Sequence, residues 1–148
     1  LWDLRHGTLE NLDLDDAIRR TLRPQIGDTD LAVRFNVPRQ RLTDNTAYAI
    51  LKIVRELAVN AVRHGRATSV KVAGALESGR ILFSVTDNGC GFDPKAAPGP
   101  AEGHYGLLGV TERIEGLEGE MRIDSAPGRG TRVTVALSAP QQKEPFNE

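Results

Sequence analysis

A single cysteine, Cys90, stands in 148 residues, with one tryptophan, one methionine and three histidines. One thiol excludes an internal disulfide and any cysteine-rich metal centre, and it suits a reducing compartment without requiring one. Three scattered histidines do not supply a zinc site instead. No apolar run approaches the ~18–20 residues that span a bilayer, and the opening residues show no charged-then-apolar signal pattern. An excess of one charge sign is missing too. A net charge of -1 and a pI near 6.4 create no basic field, so neither nucleic acid nor a membrane surface is an expected partner. Any polyanion would need a local arrangement. With 39% hydrophobic and 26% charged residues, the chain is expected to fold as one domain with a sizeable core. It opens on LWDLRHGTLENL without an initiator Met, which suggests a piece of something longer.

Apolar spacing sets out the elements. Residues 12–23 place Leu14, Ala17, Ile18 and Leu22 at helical intervals, with Asp13 as N-cap and Pro24 and Gly27 bounding the end. Strict alternation of Leu31, Val33, Phe35 and Val37 predicts a half-buried strand ended by Pro38. The longest periodic segment is 44–64, with Ala47, Ile50, Val54, Leu57 and Ala61 on one face, Thr43 as cap and Gly65 as stop. Strands over 69–76 and 80–87 meet at Glu77-Ser78-Gly79 as a hairpin. A Gly-, Pro- and Ala-rich loop follows, then a helix over 107–118, then strands near 120–125 and 131–137 around APGRG. The tail from 139 has no periodicity and is expected to be disordered. This order predicts an α+β fold, helices lying on one face of a mixed or antiparallel sheet.

Four short stretches carry chemistry. On a wheel of about 100° per residue, Asn60 lies about 40° from Glu56, Arg63 about 20° the other way and His64 about 80° round. All four share a flank. A solvated face with a basic end favoured by the helix dipole accounts for the same residues. In DNGCGFDP, Asp87 ends a β-branched strand and Gly89 and Gly91 let backbone approach a flat ligand, a pairing suited to a purine amine. A plain Asp-Asn-Gly turn is the alternative. In GHYGLLGVTERI, glycines 103, 106 and 109 lead into a helix whose first amides can cradle phosphate, or they permit close helix packing. GRGT at 128–131 reads as a hairpin turn.

Taken in order, ExxxN at 56–60 followed by Arg-His, DxGxG at 87–91, GLLG at 106–109 and GxGT at 128–131 resemble the ATP-binding catalytic domain of bacterial sensor histidine kinases. The resemblance is greatest to the nitrate- and lipid-sensing subfamily, and LWDLR is similar to the end of its dimerisation helix. It covers roughly 1–138 and implies a two-layer α/β sandwich, the Bergerat fold, with ATP and Mg²⁺ as ligands. By position it gives Asp87 the adenine amino group, with Gly89, Gly91 and Thr131 shaping the base pocket. It gives Asn60 the Mg²⁺, Arg63 and His64 the phosphates, and Glu56 a role as base or orienting group at the γ-phosphate. Gly103, Gly106, Leu107 and Gly109 would line a lid. Residues 1–11 would then end a dimerisation helix or linker, 12–138 form the catalytic domain and 139–148 the tail.

The implied partners are a histidine-bearing dimerisation domain, which is not in this sequence, and a response regulator. The implied setting is a cytoplasmic domain of a homodimeric parent, with an inner-membrane sensor as one form of that parent and the fragment itself a monomer. The subfamily's Glu-Ala-Leu-Thr-Asn is here Glu-Leu-Ala-Val-Asn, so Val59 replaces a common hydroxyl. Cys90 sits at the variable position of DxGxG and reads as a tolerated small residue. Two alternatives stand beside this reading: a stand-alone serine kinase of the anti-sigma-factor type, and a degenerate partner-binding module. The LWDLR opening argues against the first, and intact Glu56, Asn60 and Asp87 against the second.

Overall fold

Leu14, Ala17, Ile18, Leu22 and Ile26 recur at three and four residues, and in the computed structural model they form the buried stripe of helix α1, Leu14–Ile26. The structure describes residues 14–95 and 105–139. Asp13, the expected cap, lies outside them. The expected stop at Pro24 does not hold, because α1 carries Pro24 inside its last turn. A proline there removes a single backbone donor, and the chain closes with Gly27 N–H donating to the Arg23 carbonyl at 3.0 Å.

Strand β1, Asp30–Asn36, buries Val33 and Phe35 and lies at one edge of the sheet. Its outer edge is not bare. The Asp15 Oδ1 accepts the Phe35 N–H at 2.8 Å, and an Arg19 guanidinium nitrogen donates to the Val33 carbonyl at 3.0 Å. A 3-10 turn at Arg39–Arg41, not anticipated from sequence, leads to helix α2, Asp44–Arg63. Thr43 caps it as expected, its hydroxyl accepting the Thr46 N–H at 3.1 Å. At the far end the left-handed residue is Arg66, at φ 56, and not Gly65. Gly65 is needed for another reason: a Cβ there would lie 2.7 Å from the Ala61 carbonyl oxygen.

Helix α2 is the crossover that lets β1 pair in parallel with β2, Ser69–Glu77. β2 turns through Ser78 and Gly79, both at positive φ as a type I′ hairpin requires, into β3, Arg80–Asp87. Helix α3, Tyr105–Gly116, begins slightly earlier than its spacing suggests, and β4, Glu120–Ser125, and β5, Thr131–Ser138, close the sheet. The order is β1-β2-β3-β5-β4, antiparallel after the first pair.

One face of the sheet, with Val70, Val72, Ile81, Phe83, Val85, Val133, Val135 and Leu137, packs under the helices as a single core. Each large side chain fully buried there contributes about 1.5–3 kcal/mol. Phe35 and Phe83 flank Gly74 in register, and their rings sit 5.7 Å apart because Gly74 has no side chain to separate them. Helices on one side of a mixed sheet are the expected α+β sandwich.

Candidate functional site

The last turns of α2 and the C-terminal end of β3 do not touch along their whole length. Between them opens a cavity of about 130 Å³, roomy enough for more than one water. Leu57 and Ala61 from α2, Val85 from β3, Leu107 from α3 and Val133 from β5 make apolar walls. Asn60, His64, Asp87 and Thr131 supply the polar ones. An apolar slot with a few convergent polar groups is the usual form of a small-molecule site.

Asp87 sits at the point where β3 leaves the sheet. Its Oδ1 accepts the Gly89 N–H at 2.7 Å, and the Thr131 backbone N–H also bonds to the carboxylate. Burial pushes the carboxyl above its ordinary value, and these two bonds oppose that rise. An ionised carboxylate offers about four acceptor positions, so acceptor capacity remains for a ligand.

The turn after Asp87 is fixed by its own side chains. Asn88 Oδ1 accepts both the Thr68 and Ser69 N–H groups at 2.9 Å, and the Cys90 N–H donates to the Gly65 carbonyl at 2.8 Å. The turn therefore locks onto the end of α2. From the other side comes the β4–β5 hairpin. Gly91, at φ 67, lies so close to Ala126 that a Cβ would collide with its carbonyl, and Gly130, at φ 75, is packed in the same way on the Asp87 carbonyl. GRGT is thus a hairpin turn and also a wall of the cavity.

Ser125 ties this wall together. Its hydroxyl shares a 2.8 Å bond with the Thr131 hydroxyl, donates to the Gly130 carbonyl at 3.1 Å and accepts the Phe92 N–H at 2.9 Å. Sequence reasoning missed Ser125, along with Val85, Phe92 and Val133. The strand period was the available signal for the two valines, since they share a sheet face with Asp87 and Thr131.

Asn60 is the other unusual group. Its Nδ2 is buried against the cavity with no partner among the described residues, a state that costs about 1–3 kcal/mol when left unmet. A bound polar ligand would satisfy it. Which amide atom faces inward is a matter of assignment, and with the oxygen inward the same side chain becomes a hard ligand for a cation. No group of three or more His, Cys, Asp and Glu side chains suited to a metal occurs among the described residues. A cation at Asn60 would thus draw its other oxygens from ligand and water, as magnesium commonly does.

Of the residues singled out from sequence, Asn60, His64, Asp87, Gly91, Leu107 and Thr131 line one cavity. Gly89 adjoins it through its bond to Asp87. Glu56, half-buried one turn earlier on α2, and exposed Arg63 do not line it. Gly109 has open space around it, so close helix packing does not explain it. Gly106 lies in α3, and Gly103 is outside the described residues.

A mixed sheet covered on one face thus carries an acid-ended slot between α2 and β3. The family model for the histidine kinase-, DNA gyrase B-, and HSP90-like ATPases matches residues 45–141, and the chain belongs to that family. It is 31% identical over 137 residues to the oxygen sensor histidine kinase NreB of Staphylococcus carnosus, covering 91% of this chain and 39% of that protein. It is 30% identical over 140 residues to the nitrate/nitrite sensor protein NarQ of Escherichia coli, covering 93% and 24%. The chain thus spans well under half the length of these relatives. Among solved structures it resembles the ATP binding domain of PrrB from Mycobacterium tuberculosis, with a TM-score of 0.64 at 20% identity over 88% of this chain and 96% of that one. That likeness shows the three-helix, five-strand fold. Family membership makes the chain an ATP-binding domain.

Proposed function

We propose that the domain supplies the γ-phosphate of ATP to a histidine on a separate dimerisation domain, for relay to a response regulator. The observation that carries this reading is the half-buried Asp87 carboxylate lining one cavity with Asn60, whose Nδ2 has no partner among the described residues. Asp87 accepts the adenine amino group, while Gly91 and Thr131 shape the slot that excludes water around the base. Asn60 holds Mg²⁺, which when bound neutralises phosphate charge. His64, at the C-cap of α2, and Arg63 stand where the phosphates leave the slot, and Glu56 orients the acceptor from its place one turn back. Gly106, Leu107 and Gly109, at the start of α3, would stand on the lid side, the role also expected of Gly103. Phosphoryl transfer needs positioning and charge neutralisation more than covalent help, which suits this sparse set of groups.

Residues 12–138 act as the catalytic unit, and residues 1–11 join it to the dimerisation domain. The relatives' names speak for a sensor kinase, and no observation favours the serine-kinase alternative. In calorimetry with ATP, Asp87→Asn is expected to weaken binding with Mg²⁺ present or absent, by on the order of ten- to hundredfold for a lost charge-assisted bond. Asn60→Asp changes only the Mg²⁺-dependent part. Unchanged affinity in the first variant would sink the adenine assignment, and equal behaviour with and without Mg²⁺ in the wild-type chain would sink the metal role.

A further inference from the structure

Helix α2 has a second flank, turned away from the ATP cavity and toward α1. Between the two helices lies a hollow of about 530 Å³ that shares no lining residue with that cavity. From α2 it is lined by Tyr48, Leu51, Lys52 and Arg55, and from α1 by Arg20 and Thr21 among others, with no carboxylate. Three cations therefore face one hollow. None of them has an ion-pair partner among the described residues; Lys52 only lies over the Tyr48 ring, 5.8 Å from its centre.

The second observation is Thr21. Its side chain is 8% exposed, yet its Oγ1 has no hydrogen-bond partner among the described residues. A helical threonine ordinarily bonds back to the carbonyl four residues earlier. Here the hydroxyl is left buried and unmet on the wall of a cationic hollow, as Asn60 is on the wall of the ATP cavity.

We propose that this hollow is a docking groove for an acidic segment of a partner protein. The segment's carboxylates meet Arg20, Lys52 and Arg55, one of their oxygens accepts the Thr21 hydroxyl, and an apolar side chain lies over Leu51. The spacing favours a polypeptide over a single small anion. Tyr48, Lys52 and Arg55 follow one another along about 10 Å of helix, forming a line of contacts and not a convergent cradle. Tyr48 is 42% exposed at the groove's end, and tyrosine with arginine is the pairing enriched at protein interfaces.

The test titrates the isotope-labelled chain with an end-capped peptide carrying glutamate and leucine at helical spacing, and with the same peptide carrying glutamine for glutamate. The acidic peptide is expected to shift the amides of Thr21, Tyr48, Lys52 and Arg55, and to bind more weakly as salt rises through the physiological range. The double variant Lys52→Glu, Arg55→Glu loses this binding by on the order of tenfold or more while keeping its ATP affinity, since neither residue touches the ATP cavity. Thr21→Val weakens the peptide severalfold without lowering the chain's own stability. Three results would overturn the groove: equal binding of the glutamine peptide, wild-type affinity in a folded Thr21→Val chain, or the same saturating shifts from inorganic phosphate alone.

Discussion

At the scale of single residues, Asp87 has two opposite dependences on pH. Its carboxyl holds a proton more tightly in the folded chain than in the unfolded one. Its contribution to stability is thus fully present below the ordinary value of 3.8 and is lost as pH rises through the raised folded value. With Asp87 accepting the adenine amine, as proposed, ATP binding is expected to need the ionised form, so that affinity is lost as pH falls through that same value. Asp87→Asn is expected to remove the residue's share of both slopes. Parallel denaturation and calorimetry series across acidic pH check this, and an unchanged stability slope in the variant would contradict it. Ser125 offers a second residue-scale prediction. Ser125→Ala removes the hydroxyl that bonds Thr131 and the Gly130 carbonyl, costing roughly 0.5–1.5 kcal/mol by denaturation and weakening ATP severalfold by calorimetry.

Legibility at this scale was uneven. Asn60, Asp87 and Thr131 were readable because their types and spacing follow a known motif order, and the structure brings all three to one cavity. Ser125 was not, because a serine ending a strand looks like any other until the hairpin folds it back on Thr131. Glu56 lies on the same flank as Asn60, about 40° round the wheel, yet a helix flank is wider than a cavity, and Glu56 falls outside the lining.

Among elements, the site depends on two turns pressed together. Gly130→Ala forces a Cβ onto the Asp87 carbonyl at a positive φ and is expected to cost roughly 1–3 kcal/mol and to lower ATP affinity. Gly128→Ala is the comparison. It has φ 82 but open space around it, so it carries only the backbone cost of about 1–2 kcal/mol and leaves the cavity intact. Equal ATP affinity in the two variants would show that the contact with Asp87 does not shape the site. Element ends were the least readable part of the sequence. Pro24 suggested a stop that one lost donor does not enforce, whereas α2 does end just before Gly65, and the left-handed residue that follows is Arg66.

For the whole molecule, periodicity gave the class of fold, since period-2 and period-3.6 segments alternate cleanly along the chain. Strand order and the parallel β1–β2 pair did not follow from it. Alternation tells which face is buried and not which neighbour lies alongside. The sheet predicts a gradient of local stability. Amide exchange is expected to be slowest near Phe83, Val85, Val133 and Val135 in the central strands and faster in edge strand β4. In β1 the Phe35 amide is the exception, because Asp15 accepts it from outside the sheet. Asp15→Ala should speed exchange at Phe35 far more than at Val72; equal change at both would indicate general loosening.

The interlock of Gly91 with Ala126 and of Gly130 with Asp87 also makes the site depend on the last hairpin of the chain. The residues that make the cavity's polar end are held by contacts from the far side of α3, distant in sequence and slow to find one another. α2 and β3 carry Asn60 and Asp87, and β5 supplies Thr131 and Val133 as the remaining wall. A chain truncated before β5 is therefore expected to lose ATP binding in calorimetry, and binding at full-chain affinity would show that the hairpin is not needed to close the slot.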